Sequence, residues 1–314
     1  MDTTVETNAE PLHGAKRQPS SNKLTRKALA YLQLTKPRII ELLLITTIPV
    51  MFLAARGVPN LWLVTATLVG GALSAGSAGA FNCYIDRDID RVMRRTRGRP
   101  LVTGELSDRE ALVFAWVLGI IAPLWLGVFV NWFAAVLSIV GHLGYVLGYS
   151  LWLKRRTSQN IIWGGAAGCV PVLVGWAAVT GSLDWAPVIL FGVVFLWTPP
   201  HYWPLSMRYR GDYQAANVPM LAVVRGRAQV GLQVILFAWA TVVCSLLLIP
   251  VAQMGMLYAS VAVLSGGWFI VESHRLYSKV IRHIEGSPMR VFHASITYLT
   301  LLFVAVGVDP LLPF

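Results

Sequence analysis

The chain has 314 residues, of which 56% are hydrophobic and only 13% charged, with a mean hydropathy of +0.61 and a formal net charge of +11. A soluble domain carries about a quarter charged residues, so this composition excludes a water-soluble globule and points to a lipid bilayer as solvent. Cys83, Cys169 and Cys244 are scattered without metal-ligand spacing, which argues against a disulfide framework, and no separate basic domain exists to hold nucleic acid.

Residues 1–35 are polar, with Ser, Lys and Arg and no early apolar core, and read as a disordered cytoplasmic tail rather than a cleaved signal. From residue 36 to 314 the chain reads as one intramembrane domain. Apolar runs of roughly 18 to 22 residues predict about nine transmembrane helices, hence an all-α, polytopic membrane bundle. They fall near 38–56, 61–81, 109–129, 132–151, 161–180, 186–204, 228–249, 251–271 and 291–308. With the N-terminus inside, every Lys and Arg except Arg56 lies on the cytoplasmic side, and the outer turns are short and nearly uncharged. The net charge is thereby explained as topology.

Two inner loops carry chemistry. The first, NCYIDRDIDRVMRRTRGRP, follows the second span. On a helix, positions i, i+4 and i+8 share a face, so Asn82, Asp86 and Asp90 line up while Asp88 points elsewhere. Two carboxylates one turn apart below an amide make a hard-oxygen site suited to Mg²⁺ bridging a phosphate ester. The plainer alternative is a solvated loop of mutual ion pairs. Against it stands the preceding span, dense in small residues (Gly70, Gly71, Ser74, Ser77, Ala78), which favours close packing at a bundle interior. The second loop, YSLWLKRRTSQNIIWGGAAGCVP, offers Lys154, Arg155 and Arg156. Alone they mark the inner end of a helix; with Arg94, Arg95, Arg97 and Arg99 they ring the aspartates with donors for an anion.

The sixth span ends in LWTPPHYWPLSMRYRGDYQAANVPML, where Pro199 and Pro200 are expected to interrupt the helix around His201. His201 admits three readings: iron ligand, another substrate-site group, or a structural histidine. His142 is a weaker ligand candidate inside the fourth span; His274, His283 and His293 fall near the inner interface. Glu41 either lines a cavity or snorkels.

With LTKPRIIELLLITT at 34–47, these segments resemble the intramembrane prenyltransferases of the UbiA type, in particular the branch that farnesylates heme, over residue 34 to the C-terminus. The resemblance implies an inner (plasma) membrane enzyme, its site facing the cytoplasm, with farnesyl diphosphate and protoheme IX as substrates and Mg²⁺ as cofactor. It implies Asp86 and Asp90 as metal ligands, Asn82 in support, and Lys154 and Arg155 on the leaving diphosphate. Arg97, Asn160, His201, Arg208, Asp212 and Tyr213 are implied to bind substrate. A downstream heme-modifying enzyme or oxidase assembly would receive the product. Relatives that prenylate aromatic acids carry a second acidic motif where this chain has His201 and Arg208, with Asp212 alone retained. That departure implies one metal fewer and a place for a heme propionate on Arg208 or Arg210. Two other classes compete. A transporter sets its ionisable residues at midplane, whereas here they gather on one side. A non-catalytic heme-binding or assembly protein leaves Asn82, Asp86 and Asp90 on one helix face unexplained. Within the enzyme class the runner-up is a quinone-pathway or chlorophyll-type prenyltransferase.

Overall fold

The computed structural model describes residues 23–312 apart from Glu285. Its helices are α1 (Lys23–Thr35), α2 (Pro37–Ala55), α3 (Leu61–Ile85), α4 (Arg87–Val92), α5 (Pro100–Thr103), α6 (Asp108–Phe129) and α7 (Trp132–Leu143). A π-helical stretch, Gly144–Leu153, leads from α7 into α8 (Lys154–Arg156). There follow α9 (Asn160–Thr180), α10 (Trp185–Arg208), α11 (Arg210–Ala215), α12 (Leu221–Val224), α13 (Arg227–Leu246), α14 (Leu248–Val251), α15 (Met256–Ile281) and α16 (Pro288–Val308). Among the described residues, eight helical runs of 21–26 residues are long and apolar enough to cross a membrane. The first expected span corresponds to α2, which with those eight gives the anticipated bundle.

Short polar residues start the spans. Asn60, Asn131 and Asp184 accept from backbone N–H groups of Trp62, Ala134 and Ala186 at 2.8, 2.8 and 2.9 Å, and Ser107 forms a capping box with Glu110. These caps supply partners for N–H groups that hydrocarbon cannot solvate. Large apolar side chains such as Trp116, Leu264 and Val304 remain exposed on the outer surface, as a lipid-facing wall requires. The helices close into a ring in which α2 touches α3, α9 and α16, α10 packs between α9 and α13, and α3 lies along α6.

Three expectations are corrected. Residues 23–35, read as part of a disordered tail, form α1, with Ala30 and Leu34 buried; residues 1–22 lie outside the described residues. Burial against α3 supplies the stabilisation that the polar composition of α1 does not advertise. The contact is close: a Cβ on Gly79 would sit 2.9 Å from the carbonyl oxygen of Thr35, so only glycine fits there. Pro199 and Pro200 do not interrupt α10, which also contains Pro204; each proline removes one N–H donor but keeps a helical φ. The span expected at 251–271 starts at Met256 and continues to Ile281, because the polar residues after Val271 extend the helix beyond the apolar run.

Candidate active site

A cavity of about 410 Å³ runs into the bundle between α2, α3, α7, α9 and α10. Its inner walls are small or apolar, among them Gly71, Ala75, Ala78, Gly168, Pro171 and Val174. Along α3 it extends from Asn82 to Thr67, a rise of roughly 22 Å at 1.5 Å per residue. Its charged mouth holds Lys36, Asp90, Arg95, Arg99 and Lys154.

The face predicted for Asn82, Asp86 and Asp90 survives the end of α3. Asp86 N–H donates to the Asn82 carbonyl at 2.9 Å and Asp90 N–H to the Asp86 carbonyl at 2.8 Å, so α4 continues nearly in phase. All three residues are buried. Each meets a nitrogen from another part of the chain. Lys36 Nζ donates to Asn82 Oδ1, Lys154 Nζ to Asp86 Oδ2, and Arg99 Nη1 to Asp90 Oδ2 at 2.5 Å. Asn82 Nδ2 also donates to Ser150 Oγ at 2.9 Å. Asp86 Oδ1 has no hydrogen-bond partner although it is buried, and only Arg155 Nη2, 4.0 Å away, approaches it. A buried, anionic oxygen without a donor beside a second carboxylate and an amide fits a hard divalent cation.

Asp88 stands apart, as its phase predicts. Its carboxylate is bidentate with Arg155, both contacts at 2.7 Å, and this pairing lowers its pKa to about 2. Arg155 also donates to the Ile85 carbonyl at 2.9 Å, so its main engagement is with the rim rather than with Asp86.

The π-helical stretch governs the opposite wall. It directs Tyr145 and Tyr149 into the cavity and delivers Lys154 to Asp86. Asn160, fully buried, donates to the Lys154 carbonyl at 3.2 Å and so fixes the end of that stretch without lining the cavity. Tyr213 does line it: its hydroxyl lies 2.6 Å from that of Tyr202, and Arg95 Nη2 donates to it at 3.4 Å. Burial raises the pKa of the Tyr213 phenol well above its ordinary value, keeping the proton available for donation.

Several nominated residues are not brought here. Arg97 and Arg208 are exposed, and neither they nor Asp212 line the cavity. His201 is stacked between Trp197 and Phe292, with ring centroids 4.1 and 4.6 Å away, and its Nδ1 lies 2.9 Å from Ser295 Oγ. That hydroxyl donates to the Phe292 carbonyl, so it accepts from His201. His142, judged the weaker histidine, is the one at the cavity wall, with Nδ1 3.3 Å from the Ser74 carbonyl. Lys36, Tyr145, Tyr149 and Tyr202 escaped sequence reasoning. The signal for Lys36 was the KPR triplet, since a lysine before a proline at the start of a span sits where the chain must turn.

A sequence model of the UbiA prenyltransferase family matches residues 43–296. The chain is 69% identical over 314 residues to a protoheme IX farnesyltransferase of Leifsonia xyli subsp. xyli, covering 100% of both. It is 70% identical over 291 residues to one of Clavibacter michiganensis subsp. michiganensis, covering 93% of this chain and 95% of that one. Among solved structures, one described as a digeranylgeranylglyceryl phosphate synthase matches with a TM-score of 0.75 at 18% identity, over 90% of this chain and 98% of that one. A UbiA homolog from Archaeoglobus fulgidus bound to DMAPP and Mg²⁺ matches with a TM-score of 0.61 at 17% identity, over 88% and 99%. At that identity the likeness shows the fold alone.

Proposed function

We propose that this chain, which belongs to the UbiA prenyltransferase family, transfers the farnesyl group of farnesyl diphosphate to a vinyl group of protoheme IX, with addition of water, giving heme O and diphosphate. The donor half rests on the buried carboxylates and their cations at the mouth of a deep apolar cavity. The acceptor half rests on end-to-end identity of 69% to a protein that bears this activity in its name.

The chemistry follows from charge. The allylic C1–O bond of farnesyl diphosphate breaks with its electron pair on oxygen, and the vinyl π pair then forms the new bond to C1. The cation left on the former vinyl group is captured by water, which releases a proton. Lys154, Arg99 and Lys36 are positioned to stabilise the departing diphosphate by charge-assisted hydrogen bonds. Arg155, tied to Asp88, acts at the edge of that cluster. Mg²⁺, held by Asp86 and Asp90 with Asn82 beside them, would supply Lewis-acid neutralisation of the diphosphate. The apolar walls exclude bulk water from the farnesyl cation until the acceptor is seated. For the acceptor, Arg95 with Tyr213 and Tyr202 forms a donor cluster at the mouth, suited to a propionate. We place the site on the cytoplasmic face of the plasma membrane because the basic loops flank it.

The test is purified protein with protoheme, farnesyl diphosphate and Mg²⁺, reading pigment mass. The expected product carries the farnesyl group and one water; unchanged protoheme, with prenylation of a phenolic acid instead, would overturn the acceptor assignment.

A further inference from the structure

We propose that Lys154 and Arg99 are exchangeable counter-ions of Asp86 and Asp90, so that a divalent cation and a diphosphate enter this site together and neither enters well alone. The inference rests on the reading of the site as one for Mg²⁺ and a prenyl diphosphate, and adds a role for the chain's own cations, which pair with both carboxylates.

The carboxylate side chains are nearly sealed from solvent, at 0% exposure for Asp86 and 4% for Asp90. Each is already paired with a cation from elsewhere in the chain, Asp86 with Lys154 and Asp90 with Arg99. A third nitrogen, Lys36 Nζ, is held on Asn82. The acids are thus occupied rather than open.

A divalent cation arriving alone would have to take both carboxylates from their partners. The displaced ammonium and guanidinium groups would then lie beside added positive charge, in a poorly solvated mouth, with no anion to receive them. A diphosphate arriving alone would draw the same two cations away and leave two buried carboxylates unpaired next to phosphate oxygens. Arriving together, the metal takes the carboxylates while Lys154 and Arg99 turn to the phosphates, and every charge keeps a partner. Asp86 Oδ1, buried and without a donor, offers the oxygen at which the exchange begins. Lys154 follows directly on a π-helical stretch, an irregular turn of the kind frequent at functional sites.

Such exchange is a coupling between two ligands, and linkage requires it to be reciprocal: the factor by which diphosphate tightens the metal equals the factor by which the metal tightens diphosphate. Full-length protein in detergent would be dialysed against Mn²⁺ with and without unreactive farnesyl thiolodiphosphate, and the manganese retained on protein measured. Wild type is expected to hold Mn²⁺ at least about tenfold more tightly with the diphosphate present, within the usual range of coupling between sites. Lys154→Gln and Arg99→Gln are each expected to tighten Mn²⁺ binding in the absence of diphosphate and to move the factor toward one. The two variants act on different acids, so failure of one to fold leaves the other informative. Wild type binding Mn²⁺ equally well with and without diphosphate, or variants with an unchanged factor, would overturn the exchange and leave the metal–diphosphate site intact. No Mn²⁺ on wild type even with the diphosphate would instead remove the reading of the site.

Discussion

At the scale of single residues, the candidate site is built on one helical face that carries an amide and two carboxylates. Asn82, Asp86 and Asp90 share a face because four residues make nearly one turn, and that regularity survives the junction of α3 and α4. Asp86→Asn and Asp90→Asn keep size but remove an anionic oxygen, so each is expected to lower kcat/KM by orders of magnitude while the protein stays in the membrane. Asp88→Asn should lower it far less, since Asp88 is 61% exposed and faces Arg155. Equal loss at all three positions would defeat the assignment. The pairing also fixes a pH dependence: a carboxyl depressed to about 2 contributes its stabilisation above its ordinary value near 3.8 and loses it as pH falls through the lower value. The Asp88–Arg155 link is therefore expected to be insensitive across about pH 5 to 8, and the exposure of both groups keeps its contribution small. Histidines were less legible. His201 stood out for its proline neighbours, but its partners Phe292 and Ser295 come from α16, which no local pattern announces. His201→Ala should lower the melting temperature, the stacked pairs contributing about 0.5–1.5 kcal/mol beyond buried area. A spectrum of bound heme that changes with His201→Ala and not with Arg95→Ala would restore His201 to the site.

At the scale of elements, hydropathy located the long spans because hydrocarbon demands runs of apolar residues. It could not locate α1, whose stability derives from Ala30 and Leu34 packing on a distant helix, nor the left-handed turn at Lys36 between α1 and α2. The π-helical stretch was equally hidden, because its composition matches that of an α-helical span. Its consequence can be tested through two glycines of α9. A Cβ on Gly164 would lie 2.2 Å from the ring of Tyr149, whereas one on Gly168 meets nothing within 4 Å although that residue also lines the cavity. Gly164→Ala is expected to displace Tyr149, destabilise by about 1–3 kcal/mol as overpacking does, and impair turnover. Gly168→Ala is expected to fold at least as well as wild type, since alanine is the better helix former. Melting temperatures and kcat/KM of the two variants decide the point, and indistinguishable variants would mean that Tyr149 is not a fixed wall.

At the scale of the whole molecule, we propose an orientation from the distribution of charge, which no single element carries. Basic residues gather at the end of the bundle that holds the cavity mouth, so orientation in the membrane and access to substrate are one question. The native thiols leave a clean background for asking it, because Cys83 and Cys169 are buried and Cys244 is half-buried against α10. Glu105, Gln214 and Ser182 are exposed, the first two in segments flanking the cavity mouth and the third in the turn between α9 and α10 at the other end. In intact cells a membrane-impermeant maleimide is expected to label Ser182→Cys and to spare Glu105→Cys and Gln214→Cys, which should react once the membrane is opened. Labelling of Glu105→Cys from outside would turn the bundle over, put the carboxylates on the side away from cytosolic diphosphates, and undo the assignment of the donor even if every distance in the site stood.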